Sequence, residues 1–371
     1  MIGRRGFTLG GIAALTVPAT ARAAVMLNER VLPDPGTVKK PNRDAPFTPL
    51  EQIPNHRQLM RDIVIALSGY AKQRNPRFMI IARNGLELLV KESREYQWET
   101  LRDPDGAAAD KYAKPGTVFR PYLKAIDGLL IDGPWYGAAA YGKPTADARS
   151  KYVLGVGAVA RAEGRRLLTI DYCSDRIAVA AAEATAAKAG ALGYVDRDGD
   201  KLLGRIPPSR PPHENPDIVL DLARARNYLP MLHSDGYGTR TDWVNALAAT
   251  NYDMLMIDTF WREAESLSFE QMRQLRYKRL GSDRLVLGVL PLGVARDTRF
   301  YWKPEWKVGA PEFLVSPDPD DSAQTIVNFW DDKWKEIVGK YMQGIVDLGV
   351  DGVVLDQLDA YLWFEDRMPL K

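Results

Sequence analysis

The chain has 371 residues, 26% of them charged and 46% hydrophobic, with a net charge of +2. This suits a soluble globular protein of one large domain or two small ones, and it gives no reason to expect nucleic acid or an anionic membrane surface as partner. The single cysteine, Cys173, excludes an intrachain disulfide, and three scattered histidines argue against a zinc site.

The first 23 residues, MIGRRGFTLGGIAALTVPATARA, read as an export signal. Arg4-Arg5 precede Phe7, an apolar stretch runs from Leu9 to Val17, and Ala21-Arg22-Ala23 forms a small-residue cleavage pattern. The apolar stretch is too short to span a bilayer. The paired arginines resemble a twin-arginine signal, and an ordinary secretory signal with a basic start is the alternative. Either predicts a mature protein that begins near Ala24, is periplasmic or secreted, and has no membrane span once the signal is removed. Residues 24–48 are Pro-rich and polar and predict an extended lead-in. Residues 49–371 then form a single domain.

Eight β-type runs follow, at residues 77–85, 126–137, 165–173, 190–196, 227–235, 252–261, 283–293 and 350–361. Their centres are nearly continuous apolar stretches, the pattern of parallel strands covered on both faces. Between them lie segments of helical periodicity such as DARSKYVLGVGAVARAEG, RIAVAAAEATAAKAG and IVNFWDDKWKEIVGKYMQGIVDLG, with Gly164, Gly190 and Gly349 placed as C-terminal stops. The alternation predicts an α/β fold, a (β/α)8 TIM barrel, with a doubly wound sheet as the alternative. A helix over 57–74 precedes the first strand, and little chain follows the eighth. The predicted barrel therefore starts on a helix and ends after a strand.

Four strands end on apolar-x-apolar-Asp, at Asp132, Asp171, Asp258 and Asp356. Side chains alternate along a strand, so each Asp shares a face with the residue two before it. If those residues fill the barrel, the four carboxylates crown its C-terminal mouth, where barrel enzymes keep their chemistry. Asn84 ends strand one and His233 ends strand five. Tyr172 follows Asp171, Asp359 follows Asp356, and Trp135, Tyr136 and Trp261 sit just past strand ends. A carboxylate ring rimmed by aromatics suits either a hard cation or a glycosidase, and the aromatics favour the second. The segment DRDGD at 196–200 reads as a turn, because its glycine is misplaced for a calcium loop.

The C-terminal third carries Arg299-Phe300-Tyr301-Trp302 with Trp306, then Trp330 with Trp334, then Asp351-Gly352 with Asp356 and Asp359. With YAKQRNPRFMIIARNGLELL, IDGLLIDGPWYG, LLTIDYC and GALGYVDRDGDKL from the first half, these motifs resemble glycoside hydrolase family 114, the endo-α-1,4-polygalactosaminidase-like barrels. The resemblance spans nearly the whole mature chain and departs from the family in two ways. The segment order is swapped, as in a circular permutation. The family's acid/base glutamate is replaced by Asp132, and its G-E-A-E by Gly293-Val294-Ala295-Arg296.

The resemblance implies cleavage of a hexosamine-containing, galactosamine-type polysaccharide. In that reading Asp356 is nucleophile or charge stabiliser and Asp132 is acid/base. Asn84, Asp171, Tyr172, His233, Asp258, Asp359, Trp135, Tyr136 and Trp261 contact the sugar. No cofactor or metal is required, and no obligate protein partner is implied. An acidic cleft suits a cationic, de-N-acetylated amino sugar. A binding protein that keeps the cleft without the reaction is the alternative.

Overall fold

The computed structural model describes residues 47–103, 111–199, 201–319 and 321–370. The export signal, residues 24–46 of the Pro-rich lead-in and Asp200 of the DRDGD turn lie outside the described residues. Each predicted β-type run contains a strand of one all-parallel sheet. These are strand one (Met79–Arg83), two (Gly128–Asp132), three (Arg166–Tyr172) and four (Leu192–Asp196), then five (Leu229–Met231), six (Met254–Ile257), seven (Leu285–Pro291) and eight (Gly352–Asp356). The hydrogen-bonded order is four, three, two, one, eight, seven, six, five, so the sheet curls into a nearly closed (β/α)8 barrel. Apart from strand four, where burial alternates, its strands are buried along almost their whole length, which is why their sequences are apolar runs.

The helix His56–Arg74 shows how the ring is completed. Asn55 caps it by accepting from the Gln58 N–H at 3.0 Å. Met60, Ile63, Val64, Leu67 and Ala71 recur at helical spacing and are buried. The helix packs against Arg120–Ala125, which leads into strand two, against Asp332–Asp347, which leads into strand eight, and against Tyr361–Arg367. Strand eight pairs in parallel with strand one, Met79 beside Gly352 through Ala82 beside Leu355. A helix that precedes the first strand thus fills the place between strands eight and one. Buried ion pairs fasten it there. Arg57 meets Glu92 at 2.6 Å and Glu365 at 2.9 Å, and Arg61 lies against Glu95 and donates to the Leu88 carbonyl.

Three features depart from the sequence expectation. Strand eight is followed by a short helix, Tyr361–Arg367, so the described chain does not end on a strand. Residues 197–228, between strands four and five, hold no helix among the described residues, and a groove of about 1000 Å³ opens there. After strand seven, a three-stranded antiparallel sheet (Val294–Arg296, Gln324–Val327, Leu314–Pro317) stands where a helix was expected from Ile326. That helix begins only at Asp332, capped by Asp331.

Candidate active site

Residues level with one another on neighbouring parallel strands point to the same side of the sheet. Arg83 is level with Leu130, and Asp132 with Ile170, so Arg83, Asp132 and Tyr172 share a face. Ala82 is level with Leu355, which places Asp356 beside Arg83 on that same inner face. Asp171 is level with Val195 and turns outward. Sequence alternation had grouped Asp171 with the other three acids. A strand that runs one residue further reverses the face.

The inner face carries one ionic cluster. Arg83 Nη1 lies 2.7 Å from Asp356 Oδ2, while its Nη2 and Nε lie 2.8 and 3.0 Å from Asp132 Oδ2. Asn84 Nδ2 also donates to Asp132 Oδ2 at 3.1 Å, and the Tyr172 hydroxyl donates to Oδ1 at 3.1 Å. Asn84 returns the contact by accepting the Asp132 backbone N–H. It can do so because its own backbone is left-handed, φ 58°, a conformation asparagine tolerates. Asp356 Oδ1 accepts the Gln357 N–H at 2.8 Å. One guanidinium therefore reaches both carboxylates, with side chains 21% (Asp132) and 14% (Asp356) exposed. Burial alone would lower the Arg83 pKa, but the two facing charges outweigh it and hold the group well above its ordinary value.

Arg83 was not singled out by its sequence. The alternation that pairs Asp132 with Leu130 pairs Arg83 with Ile81, and this was the available signal. Asp359 follows Asp356 in a short turn, Leu358–Ala360, after the left-handed Gln357. Burial, with the Asp356 charge adding to it, pushes the Asp359 carboxyl up to about 6.

Asp171 serves a loop. Its Oδ1 accepts the N–H groups of Trp135 and Tyr136 at 2.9 and 2.7 Å. Burial pushes its carboxyl up to about 7 even though those two hydrogen bonds pull the other way. The Trp135 ring is 7% exposed and packs on Ala186 and Ala189 behind the barrel, with Tyr136 beside it. These three predicted sugar contacts face the outer helix rather than the mouth.

Asp258 and His233 meet on the opposite side, at a cavity of about 170 Å³ also lined by Phe260, Glu263 and Arg296. Asp258 is paired with Arg299 at 2.7 Å and accepts the Phe260 N–H at 3.0 Å. Its carboxyl is raised by burial, partly offset by Arg299. Arg299 also bonds the Tyr341 hydroxyl at 2.9 Å, and Arg296 pairs with Glu263 at 2.9 Å. Trp261 is half-buried under the guanidinium of Arg262, 4.6 Å from its ring centre.

No family model matches the chain. Three curated relatives are uncharacterized proteins. One from Deinococcus radiodurans is 31% identical over 138 residues, 36% of this chain and 41% of that one. One from Thermotoga maritima is 39% identical over 79 residues, 20% of this chain and 24% of that one. One from Methanocaldococcus jannaschii is 25% identical over 170 residues, 46% of this chain and 47% of that one. The chain spans less than half the length of each. Among solved structures, a chitinase from Bacteroides thetaiotaomicron aligns with 76% of this chain and 90% of its own, at a TM-score of 0.34 and 9% identity. A likeness that distant carries no argument about chemistry.

Proposed function

We propose that this protein is an exported glycoside hydrolase-like barrel that cleaves a hexosamine-containing polysaccharide. One observation carries the reading: Asp132 and Asp356 converge on Arg83 at the C-terminal mouth of a parallel barrel. A guanidinium and two hydrogen bonds cannot separate their oxygens beyond the roughly 5–9.5 Å that glycosidase carboxylate pairs use. The motif resemblance to family 114 adds the substrate class.

In this reading Asp356 attacks, or stabilises the positive charge of, the anomeric carbon as the glycosidic bond breaks. The leaving oxygen takes a proton from a neighbouring carboxyl. Asp132 is the residue that the resemblance suggests for that role, yet Arg83, Asn84 and Tyr172 already hold both its oxygens. Asp359 is better suited, since its surroundings push it toward the protonated form at mildly acidic pH. Asp132 then fixes Arg83 and positions the sugar. Asp171, Trp135 and Asp258 belong to the scaffold.

The closed ion cluster also favours a second reading, a barrel that binds the polysaccharide without cleaving it. A reducing-sugar assay on galactosamine-rich exopolysaccharide, run beside a pull-down on the same polymer, separates the two. Retention without new reducing ends supports binding alone, and neither signal rejects both. Export is tested by changing Arg4 and Arg5 to Lys, which should leave uncleaved precursor in the cytoplasm.

A further inference from the structure

Resting on the glycosidase-like reading above, we propose that the cavity beside His233 is a second sugar subsite, which holds one unit of the polysaccharide while another unit is bound at Asp356 and Asp132. Its place in the fold suits that role. His233 lies two residues past the end of strand five and Asp258 directly past strand six, so the cavity sits at the same C-terminal end of the barrel as the Asp132–Asp356 cluster. Strand five is three strands from strand eight in the hydrogen-bonded order. Neighbouring strands lie about 4.8 Å apart, which puts the two places roughly 14 Å apart along the sheet. One sugar cannot touch both, and a short chain of sugars can.

The cavity measures about 170 Å³. A space of about 150 Å³ holds a six-membered ring such as benzene, so this one seats a single pyranose. Phe260, stacked on Phe300 at 5.1 Å, gives it an aromatic wall for the C–H face of the ring. The charged lining is compensated in advance, Asp258 by Arg299 at 2.7 Å, and Glu263 by Arg296 at 2.9 Å and by the Thr298 hydroxyl. Groups fixed in this way need little further ordering when a ligand arrives. The His233 ring is half-buried and makes no hydrogen bond among the described residues, which leaves its nitrogens for a sugar hydroxyl. The backbone supplies a second observation. Arg262 and Glu263, in the hairpin between Phe260–Trp261 and Glu265–Ser266, are both left-handed, with φ of 48° and 62°. Residues with side chains disfavour that conformation, and it persists where the surroundings hold it. Here the Ser234 hydroxyl accepts the Arg262 N–H at 2.7 Å, the Arg262 guanidinium donates to the Tyr237 carbonyl at 3.1 Å, and Arg296 and Thr298 hold Glu263. The hairpin is thereby tied to the loop after strand five, and its strained pair forms one wall of the cavity.

The test uses protein with isotope-labelled histidine, free galactosamine, and galactosamine oligomers of graded length, with folding of each variant checked by circular dichroism. The chain has three histidines, and two serve as internal controls: His56, buried in the first helix, and His213, in the groove between strands four and five. Oligomers long enough to span both places should shift the His233 ring signals in NMR spectra, assigned by their loss in His233→Gln, and leave those of His56 and His213 where they are. In wild type, kcat/KM should rise roughly tenfold at the length that first moves His233, because a hydrogen bond and a stacked face are gained there. His233→Ala should collapse this ratio of long to short oligomers, and His233→Gln, which keeps a hydrogen-bonding group, should restore part of it. Oligomers that are cleaved or retained without moving His233 overturn the proposal. So does free galactosamine that moves His233 as far as the long oligomers do, and so does a folded His233→Ala with an unchanged ratio. Wild type that neither binds nor cleaves any oligomer overturns the glycosidase-like reading, and the subsite falls with it.

Discussion

Strands eight and six end alike, VVLD and LMID, and the two aspartates meet different fates. Asp356 faces an arginine from the neighbouring strand, and both side chains keep a small exposure, 14% and 12%. Asp258 faces Arg299, delivered by the segment after strand seven, and that pair is more deeply buried, at 6% and 8%. Phe260, Phe300 and Tyr341 stack around it, with ring centres 5.1 to 5.2 Å apart. A carboxylate at a barrel mouth is thus only an address. Whether it does chemistry depends on who supplies the countercharge and whether that partner also excludes solvent.

This contrast breaks if both acids behave alike on substitution. If Asp356 acts as proposed, Asp356→Asn should lower turnover by roughly 10²–10⁴ while leaving the melting temperature close to wild type, because it would remove a charge at the reacting centre. Asp258→Ala should do the reverse. It leaves buried Arg299 with only the more distant Glu263 carboxylate at 3.7 Å, for a loss of up to roughly 3–5 kcal/mol in denaturant unfolding, with turnover per folded molecule little changed. Equal loss of turnover in both would return Asp258 to the active site.

A smaller effect sharpens the assignment within the first cluster. If Asp359 supplies the proton, it must be protonated, so kcat/KM should fall as pH rises through about 6. Asp359→Asn should cost roughly 10² in turnover and erase that alkaline limb, while Asp132→Asn should keep the limb. The opposite result would hand the proton to Asp132.

Much of this was legible beforehand. The eight apolar runs marked the strands, and Gly164, Gly190 and Gly349, with φ of 76°, 65° and 75°, end helices as their positions suggested. The helix-first closure followed from counting elements. Other features could not be read. Arg83 looks like an ordinary arginine until the fold brings Asp132 and Asp356 to it, and the motif that contains Arg299 does not show that Asp258 is its partner. In the antiparallel sheet after strand seven, Val294–Arg296 pairs with a segment about thirty residues on, and its strands are too short for a periodicity to announce them. Asp171 was placed in the ring because its tetrapeptide matched the others, and its face depends on a one-residue difference in register.

That outward aspartate gives the smallest effect and the cleanest sign. Unfolded, Asp171 ionises near its ordinary value of about 4. Folded, it holds its proton until about pH 7. Between those values the unfolded chain binds fewer protons than the folded one, so unfolding free energy declines as pH rises, by at most about 1.4 kcal/mol per pH unit from this group. Below about pH 4 its contribution is at its best, and above about 7 the decline stops. Asp171→Asn keeps an oxygen for the Trp135 and Tyr136 N–H groups and removes the titration. Urea unfolding from pH 4 to 8 should therefore show wild type losing stability relative to the variant across that window, with parallel curves above it. Parallel curves throughout would mean that the two N–H groups hold Asp171 as an anion in the native state. The strand-three turn would then be an anion cradle rather than a buried acid, with backbone N–H groups holding Asp171 as Arg83 holds Asp356.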